Sequence, residues 1–120
     1  ALAMLDRSGA DAVMIGRAHY GAPWKAGSLA HFAAGSEAPG VPDARGIADY
    51  VVAHYEDMLS HYGAAQGVRH ARKHLGWYME RNGITNTDVR RAVMTETNPQ
   101  KVVLLLRSAF EQSNRCELAA

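Results

Sequence analysis

Two groups of residues in this chain are candidates for a functional site. In the first, Arg69, Lys73 and Trp77 follow at intervals of four residues, which places them on one face of a predicted helix, with Arg72 at its border. Arginine and lysine neutralise phosphates, and an exposed indole stacks on a base or a sugar. The pattern predicts an RNA-contact surface. The alternative is an ordinary solvated face, in which Trp77 packs against a neighbouring helix and Arg69 pairs with Glu80 or with an acid on the previous helix.

The second group follows a short apolar run at residues 10–15, which is typical of a strand covered on both faces. Gly16 at the end of such a strand allows a ligand close to the backbone, and Arg17 adds a permanently charged planar fork. Turns of this kind hold phosphate at the carboxyl end of (β/α)8 barrels. The alternative is a Gly-Arg pair whose arginine meets a surface carboxylate. His19 and Tyr20 follow the turn and could face a ligand.

Other titratable residues predict less. His70 and His74 have a spacing that can hold a metal, but no third ligand accompanies them, so we predict no metal site. His54 and His61 are predicted to border a helix interface rather than to act as acid or base. The single cysteine, Cys116, cannot form an intrachain disulfide, which favours a reducing cytoplasm.

Charge is distributed unevenly along the chain, although the formal net charge is only +1. Residues 36–62 carry one arginine and five carboxylates, whereas residues 63–93 carry six lysines and arginines and two carboxylates. A basic stripe beside an acidic one predicts a face that binds a polyanion. The longest apolar run, residues 102–106, is too short to cross a bilayer, and no signal-peptide pattern is present, so we expect a soluble protein.

The elements that position these residues are predicted to be mainly α. Helical periodicity and capping residues indicate four helices that begin near residues 43, 64, 85 to 87 and 98, and short connections predict an antiparallel bundle. The residues predicted to face its core are Ile47, Val51, Tyr55, Met58, Leu59 and Tyr62 in the first helix, Val68, Ala71, Leu75, Tyr78 and Met79 in the second, Val89, Ala92 and Val93 in the third, and Val102, Leu105, Leu106, Ala109 and Phe110 in the fourth.

A different pattern precedes the bundle. A helix ending at Gly9, the strand, and a helix from Pro23 to about Ala34 resemble the last strand and helix of a truncated (β/α)8 barrel. We therefore predict a barrel remnant at residues 1–35, a linker at 36–42, and a helical domain at 43–120.

Several segments carry a family resemblance in the same order along the chain: Gly9–Ala18, Gly21–Trp24, His54-Tyr55, Tyr62-Gly63 and Arg69–Tyr78. Together they resemble bacterial tRNA-dihydrouridine synthases, and more narrowly subfamily B, a branch that in some bacteria is named after a nitrogen-regulation locus. The resemblance covers nearly the whole chain. It implies a C-terminal portion of a larger enzyme, in which a barrel binds flavin mononucleotide (FMN) and a helical domain helps to hold tRNA.

The resemblance also implies roles for particular residues. Gly16 and Arg17 match the motif that binds the flavin phosphate. The residues that match the family's basic, RNA-binding helix are Arg69, Arg72, Lys73, His74 and Trp77. The parent enzyme would reduce uridine in tRNA to dihydrouridine, with NADPH recharging the flavin.

No catalytic residue is expected in this chain. The family's cysteine acid belongs to an upstream barrel loop, and Cys116 matches no family motif, so the chain alone should be inactive. The expected partners are tRNA and the flavin barrel of the same chain, with no membrane, in a cytoplasmic monomer. The alternative is a helical structural or protein-interaction module of another FMN-dependent barrel oxidoreductase.

Overall fold

The chain divides into two compact units. The computed structural model describes residues 1–37, 40 and 43–119, without the side chains of residues 44 and 114–119. The units are Ala1–Val41 and Pro42–Ala120. No helix in the described ranges is both long and apolar enough to cross a membrane.

The first unit is helical where it is regular. It contains α1 (Leu2–Ser8), a single 3-10 turn (Arg17–His19) and α2 (Lys25–Ala33). The strand predicted at residues 10–15 is not formed, and Met14 within it is 89% exposed. A strand is held by hydrogen bonds to neighbouring strands, and the described residues supply none. The barrel part of the predicted fold class is therefore not observed.

The second unit contains the four predicted helices, which confirms the helical bundle. They are α3 (Ala44–Tyr62), α4 (Ala64–Arg81), α5 (Thr87–Thr95) and α6 (Pro99–Ala119). The predicted caps at two of them are also confirmed: Asp43 Oδ1 accepts a 2.7 Å hydrogen bond from the Gly46 amide, and Asn98 Oδ1 accepts one of 3.0 Å from the Gln100 amide.

The helices α3 and α4 run antiparallel. Gly63 is the only residue between them and takes a φ of 81°, which favours glycine. Tyr62 stacks on His70 near this turn, whereas Tyr50 contacts Tyr78 at the far end of the pair. In addition, α3 packs on α6, and α5 packs on both α4 and α6. The helices that pack against α4 therefore contact the side opposite its basic face.

The core largely follows the predicted stripes. Every predicted core residue of α4 is buried, and the largest fully buried side chains include Tyr55, Leu75 and Phe110. The corrections fall at the edges of the stripes. Tyr62 is 46% exposed because its ring lies on the surface against His70. The half-buried residues are Leu59, Val89, Ala92 and Leu105.

Candidate nucleic-acid interface

The outward face of α4 carries two exposed cations one helical turn apart. Arg69 and Lys73 are both exposed, and within the described part of the chain neither has a carboxylate at salt-bridge distance. The Lys73 ammonium lies 5.5 Å from the centroid of the Trp77 ring, a cation–π contact. Two of the predicted site residues thus present unneutralised charge on one face.

Trp77 is half-buried, between the two situations that the sequence left open. Its ring meets that of His74 edge to face, with centroids 5.1 Å apart. His74 is half-buried too, and its ring also meets that of His54 on α3, 5.2 Å away. The indole therefore lies in contact with both His74 and Lys73.

Arg72 differs from Arg69 and Lys73. It is half-buried, its Nε atom is inaccessible to solvent, and no described residue accepts a hydrogen bond from that atom. The sequence placed Arg72 at the border of the basic face. The structure places part of its guanidinium in the interior.

A histidine–tyrosine cluster lies between α3 and α4. His54 Nδ1 is 2.8 Å from the Tyr78 hydroxyl, and the Tyr78 ring also contacts that of Tyr50. Burial, and to a smaller extent Tyr50, raises the pKa of Tyr78, so its hydroxyl stays protonated and forms this hydrogen bond as a neutral group. Burial lowers the pKa of His54, opposed by the carboxylate of Asp57. The prediction that His54 borders the helix interface is confirmed, whereas His61 is exposed.

We expect His54 to make the chain less stable in acid. An unfolded histidine titrates near pH 6.5, and the fold lowers that pKa, so below about pH 6.5 the unfolded chain binds a proton that the folded chain does not. The unfolding free energy should therefore fall as the pH drops through this window. In the His54→Gln variant the fall between about pH 7.5 and pH 5.5 should be smaller, as measured by urea denaturation followed by circular dichroism.

His61→Gln provides the matched control, because His61 is an exposed histidine on the same helix. The unfolding free energy of the His61→Gln variant should fall as the pH drops, as it does in the unmodified chain. The explanation from burial would be refuted if His54→Gln kept the full pH dependence.

The turn at Gly16 and Arg17 belongs to the first unit. Arg17 is exposed, and His19 Nδ1 hydrogen-bonds the Gly16 carbonyl on the same turn. Gly16 has a φ of −88°, and a Cβ added there would meet nothing within 4 Å. Open space at the glycine and an accessible guanidinium fit one end of an anion site, such as a phosphate.

The structure brings one set of predicted site residues together. Arg69, Arg72, Lys73, His74 and Trp77 share two turns of α4. Gly16 and Arg17 share one turn in the other unit.

Two features of the site were not predicted from the sequence. One is the hydrogen bond between His54 and Tyr78, which lie 24 residues apart. The other is the burial of Arg72 Nε. A signal was available only for Arg72, whose position at the border between the apolar and basic faces of α4 is where a long side chain can turn inward.

The second unit is a small helical domain in which α4 presents a cationic face. The family model described as dihydrouridine synthase (Dus) matches residues 1–115. Among curated proteins, the chain is 43% identical over 108 residues to a "probable tRNA-dihydrouridine synthase" of Rhodobacter capsulatus and 48% identical over 109 residues to one of Rhizobium leguminosarum bv. phaseoli. Each match covers 90% of this chain and 32% of the relative.

This chain belongs to the dihydrouridine synthase family, as its sequence motifs predicted. It is also 36% identical over 112 residues to "tRNA-dihydrouridine synthase B" of Escherichia coli K12, a match that covers 92% of this chain and 34% of that protein. The chain spans about a third of the length of these curated relatives.

Proposed function

We propose that this chain is the tRNA-binding, C-terminal part of a flavin-dependent tRNA-dihydrouridine synthase of subfamily B. The observation that carries the proposal is the pair of exposed cations, Arg69 and Lys73, which no described carboxylate neutralises. It gains support from the family of the chain and from relatives named for tRNA. Phosphate contacts supply most of the affinity for nucleic acid, so these two residues come first.

The other residues of α4 have secondary roles in this proposal. Trp77 offers part of its ring for stacking on a base or a sugar, and His74 supports that ring from the α3 side. The Nε atom of Arg72 is buried, so this residue would contact RNA through the rest of its guanidinium.

For the whole protein, we propose that Gly16 and Arg17 hold the phosphate of FMN. Arg17 would pair with the phosphate through its guanidinium, and Gly16 would let that phosphate approach the backbone, where a side chain would stand in the way. The flavin, when bound and reduced by NADPH, supplies the hydride chemistry. In this proposal the enzyme is a cytoplasmic monomer, and its cysteine acid lies outside this chain, which alone should not reduce uridine.

The proposal predicts salt-dependent binding of tRNA by the 120-residue chain. Each phosphate neutralised on duplex RNA lowers the slope of log K against log salt by about 0.9, taking the value for duplex DNA. With Arg69 and Lys73 both engaged, we expect a slope of about −2 or steeper between roughly 50 and 200 mM salt. Fluorescence anisotropy of labelled tRNA measures the slope.

A polyanion such as heparin serves as the competitor that tests for shape. If the basic face of α4 recognises the shape of folded RNA, heparin should displace tRNA only when its negative charges are in large excess over those of the tRNA. Failure of the chain to bind tRNA at low salt would contradict the proposal and favour the structural or protein-interaction module instead.

A further inference from the structure

Two polar atoms in the second unit are buried without a protein partner among the described side chains. They are the hydroxyl of Tyr55 on α3 and Nε of Arg72 on α4. Tyr55 is 1% exposed. Folded proteins pair nearly all such groups, with protein atoms or with ordered water, because an unpaired buried donor loses the hydration that it had in the unfolded chain.

The two atoms belong to one local cluster. Helices α3 and α4 pack directly against each other, and Tyr55 and Arg72 lie near the same level of this antiparallel pair, because the neighbouring His54 and His74 are in ring contact. Burial raises the pKa of Tyr55, Arg72 opposes the rise, and Glu96 adds to it. The hydroxyl therefore remains protonated and can both donate and accept a hydrogen bond.

Glu96 stays in place because the backbone holds it. Its Oε1 atom accepts hydrogen bonds of 3.0 Å from the amides of both Thr97 and Asn98, directly before α6. The Glu96 carboxylate is therefore fixed where the chain enters α6.

We propose that one internal water molecule joins Arg72 Nε to the Tyr55 hydroxyl and that this bridge fixes the direction of the Arg72 guanidinium. The Nε–H donates to the water, and the water exchanges a second hydrogen bond with the hydroxyl; two to four polar partners are typical of buried water. The terminal amino groups of Arg72 are then left for an RNA phosphate, a step that rests on the proposed function. Tyr55 is thus a positioning residue that does not touch RNA itself.

The bridge explains why an arginine suits position 72. A lysine would keep the charge but has no Nε–H and presents its ammonium as a single mobile point. An arginine fixed at Nε loses less side-chain freedom when it binds a phosphate.

The water bridge is tested by NMR of the arginine Nε–H groups in the 120-residue chain. The Arg72 signal is assigned by its loss in Arg72→Lys, and Arg69, exposed on the same helix, is the internal control. We expect the Arg72 Nε–H to exchange slowly with solvent and to show cross-relaxation with a long-lived water, and we expect Tyr55→Phe to remove both features. An Arg72 signal that exchanges as fast as that of Arg69 would overturn the bridge, and this comparison needs no variant of Tyr55.

The positioning role is tested by a double-mutant cycle on tRNA affinity. Tyr55→Phe should weaken binding by about threefold to tenfold in the unmodified chain, the range expected for one hydrogen bond. It should have no further effect in Arg72→Lys. Additive effects, or no effect of Tyr55→Phe on tRNA affinity, would overturn the positioning role.

The outcomes separate this inference from the proposed function. If charge reversal at Arg69 and Lys73 leaves tRNA binding intact, the proposed function fails, while the NMR result still decides the water bridge. If charge reversal abolishes binding and the cycle is additive, only the positioning role fails.

Discussion

Reversing the charges of Arg69 and Lys73 together should lower the affinity of the chain for tRNA on the order of a hundredfold at low salt. Two unit charges 4 Å apart interact by about 1 kcal/mol in water, so each reversal exchanges about 1 kcal/mol of attraction for about the same repulsion. The pair amounts to about 4 kcal/mol before salt screening, and a hundredfold corresponds to about 2.8 kcal/mol. Anisotropy titrations of Arg69→Glu/Lys73→Glu against the unmodified chain measure the loss.

Two features of the binding curve make this result specific. The slope of log K against log salt should become shallower by about one for each phosphate that the variant no longer neutralises. The fold should survive, because both side chains are exposed and, in the described part of the chain, neither forms a salt bridge. Thermal unfolding followed by circular dichroism checks that point.

Arg45→Glu is the matched control for Arg69→Glu. Both change the net charge by the same amount, and both positions are exposed. Because α3 and α4 are antiparallel, Arg45 lies at the end of the pair that is remote from Arg69. Equal losses of affinity for the two variants would mean that only total charge matters, which contradicts a site on α4.

Replacing Gly67 by alanine should destabilise the chain by about 2 kcal/mol, although alanine is the better helix former by about 1 kcal/mol. A Cβ at this position would stand 2.7 Å from the Leu59 Cα and 3.1 Å from the Met58 carbonyl oxygen. Both are backbone atoms of α3 and cannot turn aside, so the two helices would have to separate. For a domain of this size the melting temperature should fall by about 10 °C.

Gly76→Ala is the control on the same helix and should have the opposite sign. A Cβ at Gly76 would meet only the flexible end of Met94, at an ordinary distance of 3.6 Å. Only the higher helix propensity of alanine then acts, so the unfolding free energy of the variant should rise by up to about 1 kcal/mol. If the two alanines changed the unfolding free energy in the same direction, close approach at Gly67 would not be the cause.

Local signals along the chain were enough to predict the helices of the second unit and the side of α4 on which its charges lie. Caps such as Asp43 and Asn98, together with the spacing of apolar residues, are local signals, and local signals fix where a helix begins and which face turns inward. The same periodicity put Arg69 and Lys73 outward, where the structure has them. The motifs also identified the family, because residue order is a property of sequence alone.

What each of these faces contacts could be seen only in the packed molecule. Helical spacing gives the angle of Arg72 but not the depth to which its Nε reaches, and it treats Gly67 and Gly76 alike although only Gly67 faces a neighbouring backbone. The strand expected at residues 10–15 shows the same limit. A strand depends on hydrogen bonds to other strands, and the described residues of this chain contain no strand. A periodic pattern describes one element, whereas burial, pairing and pKa depend on the elements packed against it.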